Sequence, residues 1–369
     1  MNQRRHFLRH AGGSLGGLMF CGCSMLQAAK AQSPAGTPAR KASVAMVGGK
    51  RVKTIDMHAH CYFNEGLALA IGGPTAVLPP VKGVPEHFIG VERRLAEMDR
   101  MGIDMEVLSI NPFWYGYERD LAAEIVRIHN EKLAELCAQQ PKRFAAFASL
   151  SLQAPELAVQ QLDNAVRKQG LRGAAIGGSV VGTDFADPKF HPVWAKAEEL
   201  GAVLFIHPQS TPELAKRFKG NGWLSNTIGN PLDTTLALQH LIFEGTLDKF
   251  PGLKVLAAHG GGYFGSYAPR SDVSCFVSPQ NCDPNIVLKK KPSEYLRQIY
   301  VDSLVFTPEA LRHLVAEAGA SQVVIGTDHP IPWQEFPVEH ILGTPGLSDA
   351  DKAAILGGNA QRLLGIKLD

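Results

Sequence analysis

The sequence predicts an α/β protein built as a closed (β/α)8 TIM barrel, with insertions at the C-terminal mouth of the strands. Three observations carry this expectation. Apolar, strand-like runs alternate with helical patterns about eight times after residue 52, as in a parallel sheet with crossover helices. Eight such units over roughly 310 residues fit a closed barrel. No Gly-x-Gly-x-x-Gly follows the first strand, so an open dinucleotide-binding sheet, the competing architecture, lacks its main signal.

The elements follow in order. Thr54–His60 reads as a buried first strand, and Tyr62–Ile89 as a long Gly/Pro-rich loop. Val91, Leu95, Met98 and Met101 recur at helical spacing until Gly102 stops the pattern. Ile103–Ile110 is the second strand, followed by the aromatic loop Asn111–Gly116, and Asp120 is expected to cap the next helix. Phe144–Leu152 is the third strand, and a helix starts at Ala154-Pro155-Glu156. Ala174–Ile176 is the fourth strand, and His191-Pro192 opens a short helix. Ala202–Ile206 is the fifth strand, followed by a helix over roughly 231–247. Leu253–Ala258 and Gln298–Ser303 are the sixth and seventh strands, and Pro308–Ala318 is helical. Val323–Gly326 is the eighth strand, and a final helix spans about Ser348–Leu364.

Composition narrows the function. With 45% hydrophobic and 20% charged residues and a net charge of +2, the chain is ordinary globular protein. It has no basic block suited to nucleic acid. The N-terminus differs from the rest. Arg4-Arg5 precedes a Gly-rich apolar stretch and the small-x-small site Ala29-Lys30-Ala31. Residues 1–31 therefore read as a twin-arginine export signal, 32–51 as a flexible linker and 52–369 as the barrel domain. This implies a periplasmic protein handled by the twin-arginine translocase. Lipidation at Cys23 is the competing reading. Cys275 and Cys282 are close enough to bridge a loop in an oxidising compartment, and two free thiols are the alternative.

Polar residues interrupt the apolar runs at strand ends. His58-Ala59-His60 ends the first strand, and residues two apart in an extended chain share a face. Taken alone, a His-x-His is as well explained by a strand end as by a metal site. His207 ends the fifth strand, His259 the sixth and Asp328 the eighth. In a barrel these ends meet at one mouth. Each has a plain explanation as a core histidine, a cap or a turn residue. Their joint occurrence points to a divalent metal site. Phe113, Trp114 and Trp223 are candidate linings of an aromatic substrate pocket, with ordinary packing as the alternative.

The text Ile55-Asp56-Met57-His58-Ala59-His60, Gln153–Val159, His207-Pro208, Phe250–Val255, Ala258–Gly262 and Ile325–Pro330 resembles the amidohydrolase superfamily. More narrowly it is similar to the aminocarboxymuconate-semialdehyde decarboxylase-like branch. The resemblance implies one divalent ion, zinc with manganese as the alternative, on His58, His60, His207 and Asp328. It implies His259 as the catalytic histidine, with Asp328 able to move a proton, and a homodimer. No lysine stands at the end of strand four, where the sequence reads Ile176-Gly177, so a single metal is expected. The implied reaction is decarboxylation of an aromatic or unsaturated acid. Hydrolysis of a lactone, ester or amide is the alternative, because one set of metal ligands serves both. The decarboxylase that names the branch grips its substrate with arginines, but Pro85–Gly90 contains none and the second place falls near Ser278. A dicarboxylic semialdehyde is therefore not the expected substrate.

Overall fold

The computed structural model describes residues 44–71, 90–209 and 211–368. The expected export signal, most of the expected linker and residues 72–89 lie outside the described residues. The framework is eight parallel strands: β1 Ile55–His60, β2 Met105–Ser109, β3 Phe144–Ala146, β4 Gly173–Ile176, β5 Val203–Ile206, β6 Lys254–Ala257, β7 Tyr300–Asp302 and β8 Val323–Val324. One sheet runs β1-β2-β3 and another β8-β7-β6-β5-β4. Both seams are closed. Ala148 bridges Ala174, and Ala59 bridges His329, each in parallel. Met57 N–H donates to the Ile325 carbonyl at 2.9 Å and Asp328 N–H to that of His58 at 2.8 Å. The result is the barrel expected from the alternation.

A bulge in β1 sets the site. Asp56 is opposite Glu106 and Ala59 opposite Leu108, so β1 spends one more residue than β2 over the same distance. Met57 and His58 together face Val107. Without the extra residue, strict alternation would place Met57 inside and both histidines outside. With it, Met57 packs among Ile55, Val107 and Phe205 in the barrel interior while His58 and His60 also face inward.

The helices that cover the barrel are α1 Asn64–Ile71, α2 Val91–Met101, α3 Arg119–Gln139, α4 Pro155–Arg167, α5 His191–Leu200, α6 Asn230–Phe243, α7 Phe264–Ser271 and α8 Pro308–Ala318. Their apolar stripes face the strands; on α3 the buried set is Ala122, Ile125, Val126, His129, Asn130 and Leu133. Gly102 ends α2 in the left-handed region at φ 77°, and its N–H reaches the Met98 and Asp99 carbonyls. Thr307 caps α8 by accepting the Ala310 N–H.

Several expectations are corrected. Met46–Val47 pairs antiparallel with Lys50–Arg51, so the end of the expected linker is a hairpin. α1 occupies the start of the segment read as loop. Its five-residue apolar stretch Leu67–Ile71 is too short to stand out between Gly66 and Gly72. The cap of α3 is Glu118, and Asp120 lies in the first turn, pairing with Arg119 at 3.2 Å. The helix expected over 231–247 divides into α6 and Thr246–Lys249, because Gly245 takes φ 71° between them. The last helix is three pieces: Asp349–Ala353, a π-helical turn Ala354–Gly358 and Asn359–Leu364. Cys275 and Cys282 form a disulfide, and Cys61 and Cys137 are free.

Candidate metal centre

The C-terminal ends of β1, β5 and β8 bring four side chains to one point. His58 and His60 end β1, His207 follows β5 directly, and Asp328 lies just beyond β8. One ligand atom from each lies within 4.8 Å of all the others. Nε2 of His58 and Nε2 of His60 are 3.1 Å apart. Asp328 Oδ1 is 3.3 Å from His58 Nε2, 2.9 Å from His60 Nε2 and 4.0 Å from His207 Nε2. Four ligands, each about 2.1 Å from a small cation, lie roughly 3–4 Å from one another.

His207 gives a second test of fit. Both its ring nitrogens are buried without a hydrogen-bond partner. An imidazole left so is costly unless its lone pair is used, and a cation at the point of convergence uses it. Three imidazoles and one carboxylate are a donor set for a divalent ion. β4 adds no ligand; it ends in Ile176, and Gly177 follows. The described residues therefore fit a single divalent metal ion.

A supporting layer orients these ligands. His58 Nδ1 lies 2.6 Å from Asp302 Oδ2. The same buried carboxylate accepts the N–H groups of His259 at 2.8 Å, Gly260 at 2.9 Å and Leu304 at 3.0 Å. His60 Nδ1 lies 2.9 Å from Ser109 Oγ, whose hydroxyl donates to the Ala59 carbonyl. With both Nδ1 atoms engaged, both Nε2 atoms face inward. Asp302 and Ser109 were not singled out by sequence reasoning, although Asp302 carries the same signal as Asp328, a carboxylate ending an apolar run.

His259 stands beside this group. Its ring centroid is 5.2 Å from those of His58 and His207, and its Nε2 is 3.9 Å from Asp328 Oδ2. Its Nδ1 is buried without a partner. His259 and Asp328 both have left-handed backbone, φ 56° and 62°. That costs a non-glycine residue about 1–3 kcal/mol and is found where function fixes geometry. The glycines after His259 serve close approach: a Cβ on Gly262 would meet the Pro231 carbonyl oxygen at 2.1 Å.

Burial and charge divide the protons. Burial holds the His60 imidazole down, and burial together with neighbouring imidazoles holds His207 well down, leaving lone pairs free. Burial opposes charge on His58 too, but Asp328 and Asp302 outweigh it and raise it to about 10. Burial would raise Asp328; the His58 charge and the surrounding imidazole hydrogen bonds hold it well below the carboxylate range.

The three aromatic candidates separate. Trp114 is fully buried, and its indole donates to the Leu150 carbonyl at 2.8 Å, which ties it into the core. Phe113 packs with Trp114, Tyr117 and His129 of α3. The loop after β2 folds onto α3, a direction that its composition does not encode. Trp223 instead stacks on Trp333, with centroids 5.5 Å apart and planes 11° apart. Phe306 lies 6.3 Å from Trp333. These three come from the loops after β5, β8 and β7.

Comparison with known proteins agrees with the fold. The chain is 36% identical over 276 residues to 2-amino-3-carboxymuconate-6-semialdehyde decarboxylase of Dictyostelium discoideum, covering 74% of this chain and 76% of that one. It superposes on 5-carboxyvanillate decarboxylase of Sphingomonas paucimobilis with a TM-score of 0.76 at 26% identity, over 86% of this chain and all of the other. It also superposes on dihydroxybenzoic acid decarboxylase of Polaromonas sp. JS666, which holds manganese and the inhibitor 2-nitroresorcinol. There the TM-score is 0.73 at 26% identity, over 85% of this chain and 97% of the other. The amidohydrolase family model matches residues 55–366, and the chain belongs to the amidohydrolase family.

Proposed function

We propose that this protein is a metal-dependent decarboxylase acting on an aromatic or unsaturated carboxylic acid. The observation that carries the reading is His259 beside a three-histidine, one-carboxylate centre, in a chain whose relatives named above are decarboxylases. A divalent ion on His58, His60, His207 and Asp328 supplies a Lewis acid that neutralises charge on substrate oxygens. The protein's own groups handle the proton. In decarboxylation the bond from the substrate carbon to its carboxylate breaks, the electron pair stays on that carbon, a proton takes the vacated place and carbon dioxide leaves. His259 Nε2, 3.9 Å from Asp328 Oδ2, is the group placed to deliver that proton, with the Asp328 carboxylate able to pass a proton on to it. Solvent then restores it. Asp302 holds His58 and the His259 backbone in register for this exchange.

The Trp223–Trp333 stack suits a flat, conjugated substrate. The lack of arginine over Pro85–Gly90 speaks against a dicarboxylic semialdehyde. Zinc is the proposed ion, because three imidazole nitrogens and one carboxylate match its preferred donors; manganese, bound in the Polaromonas relative, is the competitor. Export to the periplasm and removal of residues 1–31 belong to the same reading, supported by Arg4-Arg5 and by the Cys275–Cys282 disulfide, which suits an oxidising compartment. So does a homodimer; Phe276 and Val277, exposed beside that disulfide, are apolar surface for a second copy to cover.

The test strips the protein with a chelator, restores zinc or manganese, and measures carbon dioxide release from a panel that includes dihydroxybenzoates and 5-carboxyvanillate. Release that needs the metal supports the proposal. Metal-dependent hydrolysis of lactones or esters with no carbon dioxide from any acid would overturn it.

A further inference from the structure

Behind the metal ligands, where β1 meets β8, lies a closed ring of buried polar contacts. Glu106 on β2 accepts a hydrogen bond from Arg94 Nη1 on one carboxylate oxygen at 2.7 Å. Its other oxygen lies 2.7 Å from His329 Nδ1. The second amine of Arg94 donates to the carbonyl of His60. His60 N–H donates to the carbonyl of His329 at 2.6 Å, which completes the ring. Arg94 is 2% exposed and Glu106 fully buried.

This ring spans the seam between β1 and β8. There Ala59 bridges His329, Met57 N–H donates to the Ile325 carbonyl, Asp328 N–H donates to that of His58, and the Asp56 carboxylate accepts from Thr327. The side chains held there keep His60 Nε2 and Asp328 Oδ1 at 2.9 Å. One end of the ring grips the main chain of His60; the other grips the residue next to Asp328. A buried ion pair is a poor source of net stability compared with apolar packing. It is a good device for fixing geometry, because a guanidinium fork and a carboxylate each have two directed contacts.

We propose that Arg94 and Glu106 are positioning residues that set the spacing between the ligands His60 and Asp328, and thereby the metal affinity of the centre. The inference rests on the metal-site reading above. Neither residue touches the ion or the substrate.

The experiment titrates zinc into the metal-free full chain against a competing chelator, for wild type, Arg94→Lys, Glu106→Gln and the double variant. The melting temperature of each metal-free protein is measured alongside. Arg94→Lys keeps the buried charge opposite Glu106 but loses the second amine that reaches His60, so it decides the question if Glu106→Gln does not fold. The expected result is one zinc bound by wild type, with affinity falling about 10- to 100-fold in each single variant, the usual effect of removing an outer-shell partner. The double variant should be no weaker than the weaker single one, since both break one ring. Zinc affinity within twofold of wild type in folded Arg94→Lys, with only the metal-free melting temperature lowered, would overturn the proposal and leave a packing role. A wild type that binds no zinc would instead remove the metal-site reading itself.

Discussion

Asp302 Oδ2 lies 2.6 Å from Nδ1 of His58 and accepts the backbone N–H of His259 at 2.8 Å, so one buried oxygen aims a candidate metal ligand and fixes the start of the loop after β6. Asp302→Asn keeps the shape but offers one fewer acceptor oxygen. Metal affinity is expected to fall about 10- to 100-fold, with kcat/KM falling further because His259 shifts as well. Chelator competition and steady-state kinetics on the same preparation separate the two effects. Unchanged metal affinity would show that His58 is oriented by something else.

His259 is placed to move a proton and lies outside the four-ligand group. His259→Asn should therefore lower kcat by roughly a hundredfold to ten-thousandfold while metal content stays at one ion per chain. Elemental analysis beside the rate measurement checks this. Loss of the metal together with activity would make His259 a ligand.

Asp233 on α6 gives a pH test away from the ligands. Burial, helped by Glu213 and Asp184, pushes its carboxyl up to about 7, and only the Gln209 N–H opposes this. The folded state thus favours the protonated acid, while the unfolded chain ionises near pH 3.8. Its contribution is most favourable below that pH and is lost as pH rises through about 7. Asp233→Asn keeps an acceptor for Gln209 and never ionises. It should stabilise the protein by about 1–3 kcal/mol at pH 8 and much less at pH 5. Thermal melts of both proteins at the two pH values decide it; an equal shift at each would show that charge is not the cause.

Gly326 is a matter of space. A Cβ there would lie 2.6 Å from Asp302 Cβ and 3.0 Å from His58 Cβ. Gly326→Ala should cost about 1–3 kcal/mol of stability by overpacking and weaken metal binding, because both neighbours belong to the centre. Denaturant melts with and without zinc measure the two losses. A neutral effect on both would show that the barrel relaxes easily at this seam.

Much of this was legible in the sequence, and the reasons are physical. The strands were readable because buried parallel strands are continuous apolar runs. The ligands were readable because a histidine or aspartate ending such a run is costly without a partner. Glu106 carried a similar signal inside the apolar run Ile103–Ile110 but not at its end. Arg94 was hidden because a cation in an amphipathic helix usually marks the solvent face, whereas here that side chain turns into the β1–β8 seam. The β1 bulge was invisible because the register belongs to two strands together. The fate of the aromatics was equally unreadable: Trp114 and Trp223 both sit in loops, and only tertiary packing sends one into the core and the other onto Trp333.

The most direct measurement follows the carboxyl carbon and the solvent together. Metal-loaded protein is turned over in heavy water, and separately in water carrying heavy oxygen, with an aromatic acid labelled at its carboxyl carbon. The expected result is labelled carbon dioxide and a product with one deuterium at the vacated carbon and no heavy oxygen. A product that keeps the labelled carbon and gains heavy oxygen would mean that this centre hydrolyses its substrate, and would contradict decarboxylation.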